Sequence, residues 1–164
     1  MRKIQVILVL LGAVAILMTA CGTANSAAKA ERQAQVARQV QSALESRHYT
    51  IAVDWMKPLG GMPRHVSSDY ELKINGDEVD SYLPYVGEAY RLPYGGGKGL
   101  NFKGRIDHYQ LSQTTSNRYV IEFDVTNDED TYHYRIDMFN NGKAVIDVIA
   151  RDRDAISFDG ELVL

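Results

Sequence analysis

Three consecutive segments, RYVIEFDVT, TYHYRIDMF and KAVIDVIA, alternate apolar and polar residues, with Asn127-Asp128-Glu129-Asp130 and Asn141-Gly142 as the turns between them. A period of two gives a strand one buried face and one wet face. Tyr119, Ile121, Phe123 and Val125 share a side in the first segment, with Glu122 and Asp124 opposite. Tyr132, Tyr134, Ile136 and Met138 do so in the second. Links this short cannot hold a crossover helix, so neighbouring strands must run antiparallel.

The same period reaches back to Tyr49. YTIAVDWM places Tyr49, Ile51, Val53 and Trp55 on one face, and YELKI and EVDSYL flank Asn75-Gly76-Asp77, a tight hairpin signal. Arg151 to Asp154 reads as a solvated charged loop before AISFDGELVL closes the chain. Residues 48–164 therefore predict a mainly β domain of eight or nine antiparallel strands, as a curled sheet, a sandwich or a small barrel. Upstream the pattern is helical. Residues 30–47 lack Gly and Pro, and Val36, Ala37, Val40, Ala43 and Leu44 form a narrow stripe.

The first 20 residues read as a leader. Arg2 and Lys3 precede an apolar run from Ile4 to Met18, too short for a membrane span and typical of a secretory signal. Met18-Thr19-Ala20-Cys21 resembles the lipobox of bacterial lipoproteins, which implies acylation of Cys21 and attachment to a membrane through lipid. Cys21 is also the sole cysteine, so the chain has no internal disulfide. Residues 21–29 read as a tether. They contain no acidic residue, which sets the expectation of a periplasm-facing domain on the outer membrane. Without Arg2 and Lys3, 16 Lys and Arg stand against 21 Asp and Glu, a formal charge of −5. That balance disfavours nucleic acid and anionic surfaces as electrostatic partners.

The densest cluster of special residues is SYLPYVGEAYRLPYGGGKGLNF, which with NDEDTYHYRIDMFNNGKAVIDV and RDAISFDGEL resembles domain-of-unknown-function family 4251, found in envelope lipoproteins of Bacteroidota. The resemblance runs from about Tyr49 to the C-terminus and implies an envelope address and a β fold. It implies no activity.

Within the cluster, Tyr82, Tyr85, Tyr90 and Tyr94 with Lys98 form the candidate ligand rim, stiffened by Pro84 and Pro93. The alternative reading, which we favour from sequence, is a corner over residues 83–99 whose rings close one end of the core. The glycine run is not a nucleotide loop, because Gly99 follows Lys98 where Ser or Thr is needed. His48, His65, His108 and His133 lack zinc-site spacing, and Asp124, Asp128 and Asp130 lack the glycine and distal Glu of a calcium loop. Ser112, Ser116 and Ser157 have no nucleophile-elbow context. No cofactor, metal or catalytic residue is therefore assigned. The expectation is a non-catalytic binding or scaffolding module for an envelope ligand or protein. The rival is a glycan or peptide hydrolase using two of Asp147, Asp152, Asp154 and Asp159.

Overall fold

The computed structural model describes residues 20–67, 69–91 and 97–164. Leader residues 1–19 lie outside that set, as do Pro93, Tyr94, Gly95 and Gly96 and the side chain of Cys21. Helix α1 (Ala20–Ser46) takes in residues 21–29, which the sequence alone reads as a tether. Alanine and other small residues there carry no helix breaker beyond Gly22. The described residues divide between Gln35 and Val36 into two compact units.

The described residues of the second unit hold the end of α1 and nine strands. These are β1 (His48–Pro58), β2 (Arg64–His65), β3 (Glu71–Asn75), β4 (Glu78–Leu83), β5 (Leu100–Thr115), β6 (Arg118–Thr126), β7 (Thr131–Phe139), β8 (Lys143–Ala150) and β9 (Ile156–Leu162). β3 to β9 follow one another as an antiparallel meander, and β1 pairs with β3 on one edge and β9 on the other. That last pairing closes an eight-stranded barrel and decides among the three expected architectures. β2 is an extra two-residue strand on β1, pairing His65 with Trp55.

The alternation sets the inside. Tyr132, Tyr134, Ile136 and Met138 are fully buried, as are Ile121, Phe123 and Val125. Eight strands leave a lumen that side chains can fill. Here Phe123 stacks on Tyr134 at 4.9 Å and Phe102 on Tyr132 at 4.7 Å. The Tyr134 hydroxyl donates to Ser81 Oγ (3.1 Å), which donates to the Leu100 carbonyl (2.8 Å). A buried hydroxyl thus has its partner, as a packed interior requires. Outside, Arg135 pairs with Glu122, Arg118 with Asp137 and Lys103 with Asp80.

Val40 and Leu44 of α1 join this core, with Val36 and Ala43 packed against it. The helix stops at Arg47, whose φ of 53° is left-handed and usually falls to Gly or Asn. Arg47 gains two contacts there: its guanidinium lies 4.2 Å from the Tyr109 ring centre and 3.0 Å from Asp77.

One inward assignment is corrected. Tyr49, Ile51 and Val53 are buried, but Trp55 is 41% exposed. The β1–β9 register slips between Val53 and Trp55, leaving Asp54 unpaired. This bulge inverts the parity, so Met56 turns inward and Trp55 outward. Gly160 makes it possible: a Cβ there would sit 2.3 Å from the Ala52 carbonyl oxygen.

Candidate functional site

At the end of the barrel away from the start of β1, β4 must reach β5 through residues 84–99. The described parts of this strap dock on two neighbouring loops, 127–130 and 151–155.

The first attachment is backbone. Ala89 bridges Arg153, Tyr90 N donates to the Asp152 carbonyl (2.8 Å), and Asp154 N to the Glu88 carbonyl (3.0 Å). Side chains reinforce it. The Tyr85 hydroxyl lies 3.0 Å from the Glu88 carbonyl and 3.1 Å from that of Asp154, sharing one proton between them. Gly87 leaves room for that hydroxyl, since a Cβ would approach it to 2.7 Å. The Tyr90 hydroxyl and Glu88 N both donate to the Asp154 carboxylate. These bonds hold its pKa below the usual carboxylate value, Tyr90 contributing most. The same bond raises the Tyr90 pKa, while burial and then the Asp154 charge raise that of Tyr85.

Beneath the strap lies Arg153, its side chain only 2% exposed. Its Nε meets Asp130 (3.3 Å) and its Nη2 meets Glu129 (3.4 Å), both buried carboxylates. The rings of Tyr85 and Tyr132 lie 5.4 and 5.5 Å from the guanidinium carbon. Asp130 also accepts from the amides of Thr131, Arg151 and Asp152. Asn127 Oδ1 accepts from the amides of Glu129 and Asp130 and so shapes this loop. Its Nδ2 is buried without a partner among the described residues. On the far side of the strap, Lys98 N donates to both Glu129 oxygens (2.9 and 3.0 Å), and Lys98 Nζ lies 3.3 Å from Asp128.

The expected rim is therefore only partly one site. Tyr85 and Tyr90 meet at Asp154, and Lys98 anchors the other end of the same strap. Tyr82 points away, its ring 5.2 Å from that of Tyr70 on the outer face of β4. Tyr94 falls outside the described residues. Reading Arg151–Asp154 as a solvated loop is corrected, because Arg153 is buried and its partners arrive from residues 129–130. The signal was an acidic loop at residues 128–130 and a loop holding Arg151 and Arg153, but nothing local says that they meet.

The proposed hydrolase carboxylates do not converge either. Asp147 accepts from Ser157, Asp152 faces Arg91 and Arg151, Asp154 takes Tyr90, and Asp159 pairs with Lys57. His108 and His133 meet at Asp124, at 3.3 and 2.8 Å, a convergence their spacing conceals. Among the described residues no group of three His, Cys, Asp or Glu is placed to hold a metal ion.

Filled lumen, strapped mouth and helical segment together define a closed antiparallel barrel whose charged end is paired internally. The chain belongs to the family described as Domain of unknown function (DUF4251), whose model matches residues 31–162. It is similar to the crystal structure of a DUF4251 family protein from Bacteroides eggerthii DSM 20697, with a TM-score of 0.63 at 14% identity. That likeness covers 80% of this chain and 91% of the other, and at this identity it speaks for the fold. No curated protein matches.

Proposed function

We propose that this chain is a lipid-anchored envelope protein, held at the outer membrane through acyl chains on Cys21, that binds or scaffolds a partner with the outside of its barrel and performs no catalysis. The supporting observation is the mouth, where Arg153, Glu129, Asp130, Lys98 and Asp154 are all engaged by one another or by backbone. With the lumen filled by Phe123, Tyr132, Tyr134 and Phe158, the described residues favour the outer face for recognition.

The anchor rests on the leader and its cysteine, and on the family resemblance. Among the described residues no helix is long and apolar enough to cross a membrane. More than one acyl chain gives stable attachment, at about 0.8 kcal/mol per buried CH₂. A clickable fatty acid fed to cells should label the protein, and Cys21→Ala should abolish the label. Equal labelling of both forms overturns the anchor. The periplasmic orientation predicts resistance to protease added to intact cells, and digestion there with a periplasmic marker left whole contradicts it.

A further inference from the structure

The outward turn of Trp55 gives the outer face a specific feature. Trp55 borders a groove of ≈ 550 Å³ lined also by Asp54, Phe139, Lys143, Asp159 and Glu161. That volume is within the range of small-ligand clefts, about 300–1,000 Å³. Barrel strands do not need this arrangement. A regular β1 would bury the only tryptophan of the chain, and it takes both the Asp54 bulge and the bare backbone of Gly160 to expose it. Bulges re-aim side chains beside functional sites more often than chance allows. The two-residue strand β2 then sets His65 edge-on to the indole at 5.8 Å, fixing the ring.

The charges around this ring are mostly unpaired. Asp159 is paired with Lys57, but the side chains of Asp54, Lys143 and Glu161 have no hydrogen-bond or ion-pair partner among the described residues. Lys143 and Glu161 are even cross-strand partners by register, yet form no bridge. A second groove, ≈ 580 Å³ over β3, β4 and β5, is comparable in size but has no aromatic ring in its lining; there Lys73 pairs with Glu71, Lys103 with Asp80 and Asp77 with Arg47, while the side chains of Glu78 and Arg105 have no partner among the described residues. The Trp55 groove thus combines an exposed indole face with three carboxylates against two ammoniums, Lys143 in its lining and Lys57 paired with Asp159, so that Asp54 and Glu161 remain unpaired beside the ring. An indole face attracts cations through its quadrupole, tryptophan most strongly of the aromatic side chains, and carboxylates supply charge and hydrogen-bond acceptors.

We infer that the Trp55 groove binds a cationic side chain, an arginine or lysine presented by a peptide segment of a partner protein, stacked on Trp55 and paired with Asp54 and Glu161. The inference deepens the binding reading without using the lipid anchor, so labelling of Cys21 and occupancy of the groove succeed or fail separately.

Because Trp55 is the sole tryptophan, its emission reports on this groove directly. Full-length protein in mild detergent is titrated with a blocked triarginine peptide, and with N-acetylchitotetraose as the neutral comparison. Saturable change with the peptide is expected, weakened by added salt as screening requires. The pair Asp54→Asn and Glu161→Gln should weaken it about tenfold or more. That variant breaks no contact, and its melting curve should overlay that of the parent. No response to the peptide, or one undiminished in the double variant, overturns the inference. A response to the tetrasaccharide alone would assign the groove to a neutral glycan, and so would also overturn it.

Discussion

The mouth and the Trp55 groove are both built from aromatic rings and charges, and they use them in opposite ways. At the mouth, Arg153 lies under Tyr85 against two carboxylates and is 2% exposed. In the groove, Trp55 is 41% exposed, and the exposed side chains of Asp54, Lys143 and Glu161 have no partner among the described residues. A buried ion pair contributes little net stability when formed, but leaving one member alone costs several kcal/mol. An exposed unpaired charge contributes almost nothing to folding and remains available to a ligand. The density of special residues in a sequence therefore marks where chemistry is concentrated, and pairing separates a structural end from a recognition surface.

The sharpest way to break this contrast is Asp130→Ala. It strands Arg153 with only Glu129 and orphans three backbone amides, so we expect a loss of about 3–5 kcal/mol in urea unfolding. A loss below about 1 kcal/mol would mean that water already reaches the mouth. Tyr85→Ala comes next. Its ring is half-buried, so the cost should be about 2–3 kcal/mol, below the range for a fully buried aromatic. Tyr85→Phe isolates the shared hydroxyl at about 1 kcal/mol.

Acid sharpens the same comparison. The folded-state pKa of Asp154 is depressed, so its contribution is fully present above the unfolded value of about 3.9 and is lost as pH falls through the lower folded value. Asp154→Asn should flatten that part of the pH–stability curve. The smallest effects belong to exposed positions. Trp55→Ala and Lys98→Ala should each change stability by less than about 1 kcal/mol, the second despite the Lys98–Asp128 pair, whose side chains are 59% and 72% exposed. Only Trp55→Ala should abolish capture of the triarginine peptide.

Much of the barrel was legible because its signals are local. Alternation in Tyr119–Val125 and Tyr132–Met138, the Asn75-Gly76 and Asn141-Gly142 turns, and the Val36–Leu44 stripe each lie within a few residues. What was hidden depends on residues distant in sequence. Closure requires β1 to meet β9, a hundred residues away. The facing of Trp55 requires Gly160 opposite the bulge, and no count of apolar spacing within YTIAVDWM contains that information. Arg153 looked solvated because its neighbours Asp152 and Asp154 suffice on paper, whereas its actual partners are Glu129 and Asp130. The tyrosine-rich strap was read from sequence as a closing corner, and its composition gave no hint that a buried arginine sits beneath its described part.

The central claim is that the mouth is a sealed end rather than a gate. Native-state hydrogen exchange at the amides of Glu88, Tyr90 and Lys98 tests it most directly, because these bond to Asp154, Asp152 and Glu129 across the strap. The account predicts that all three are protected nearly as well as the barrel strands and are released together in Asp130→Ala. Exchange at the rate of a free loop in the parent protein would contradict it, and would make the strap a mobile lid over the barrel.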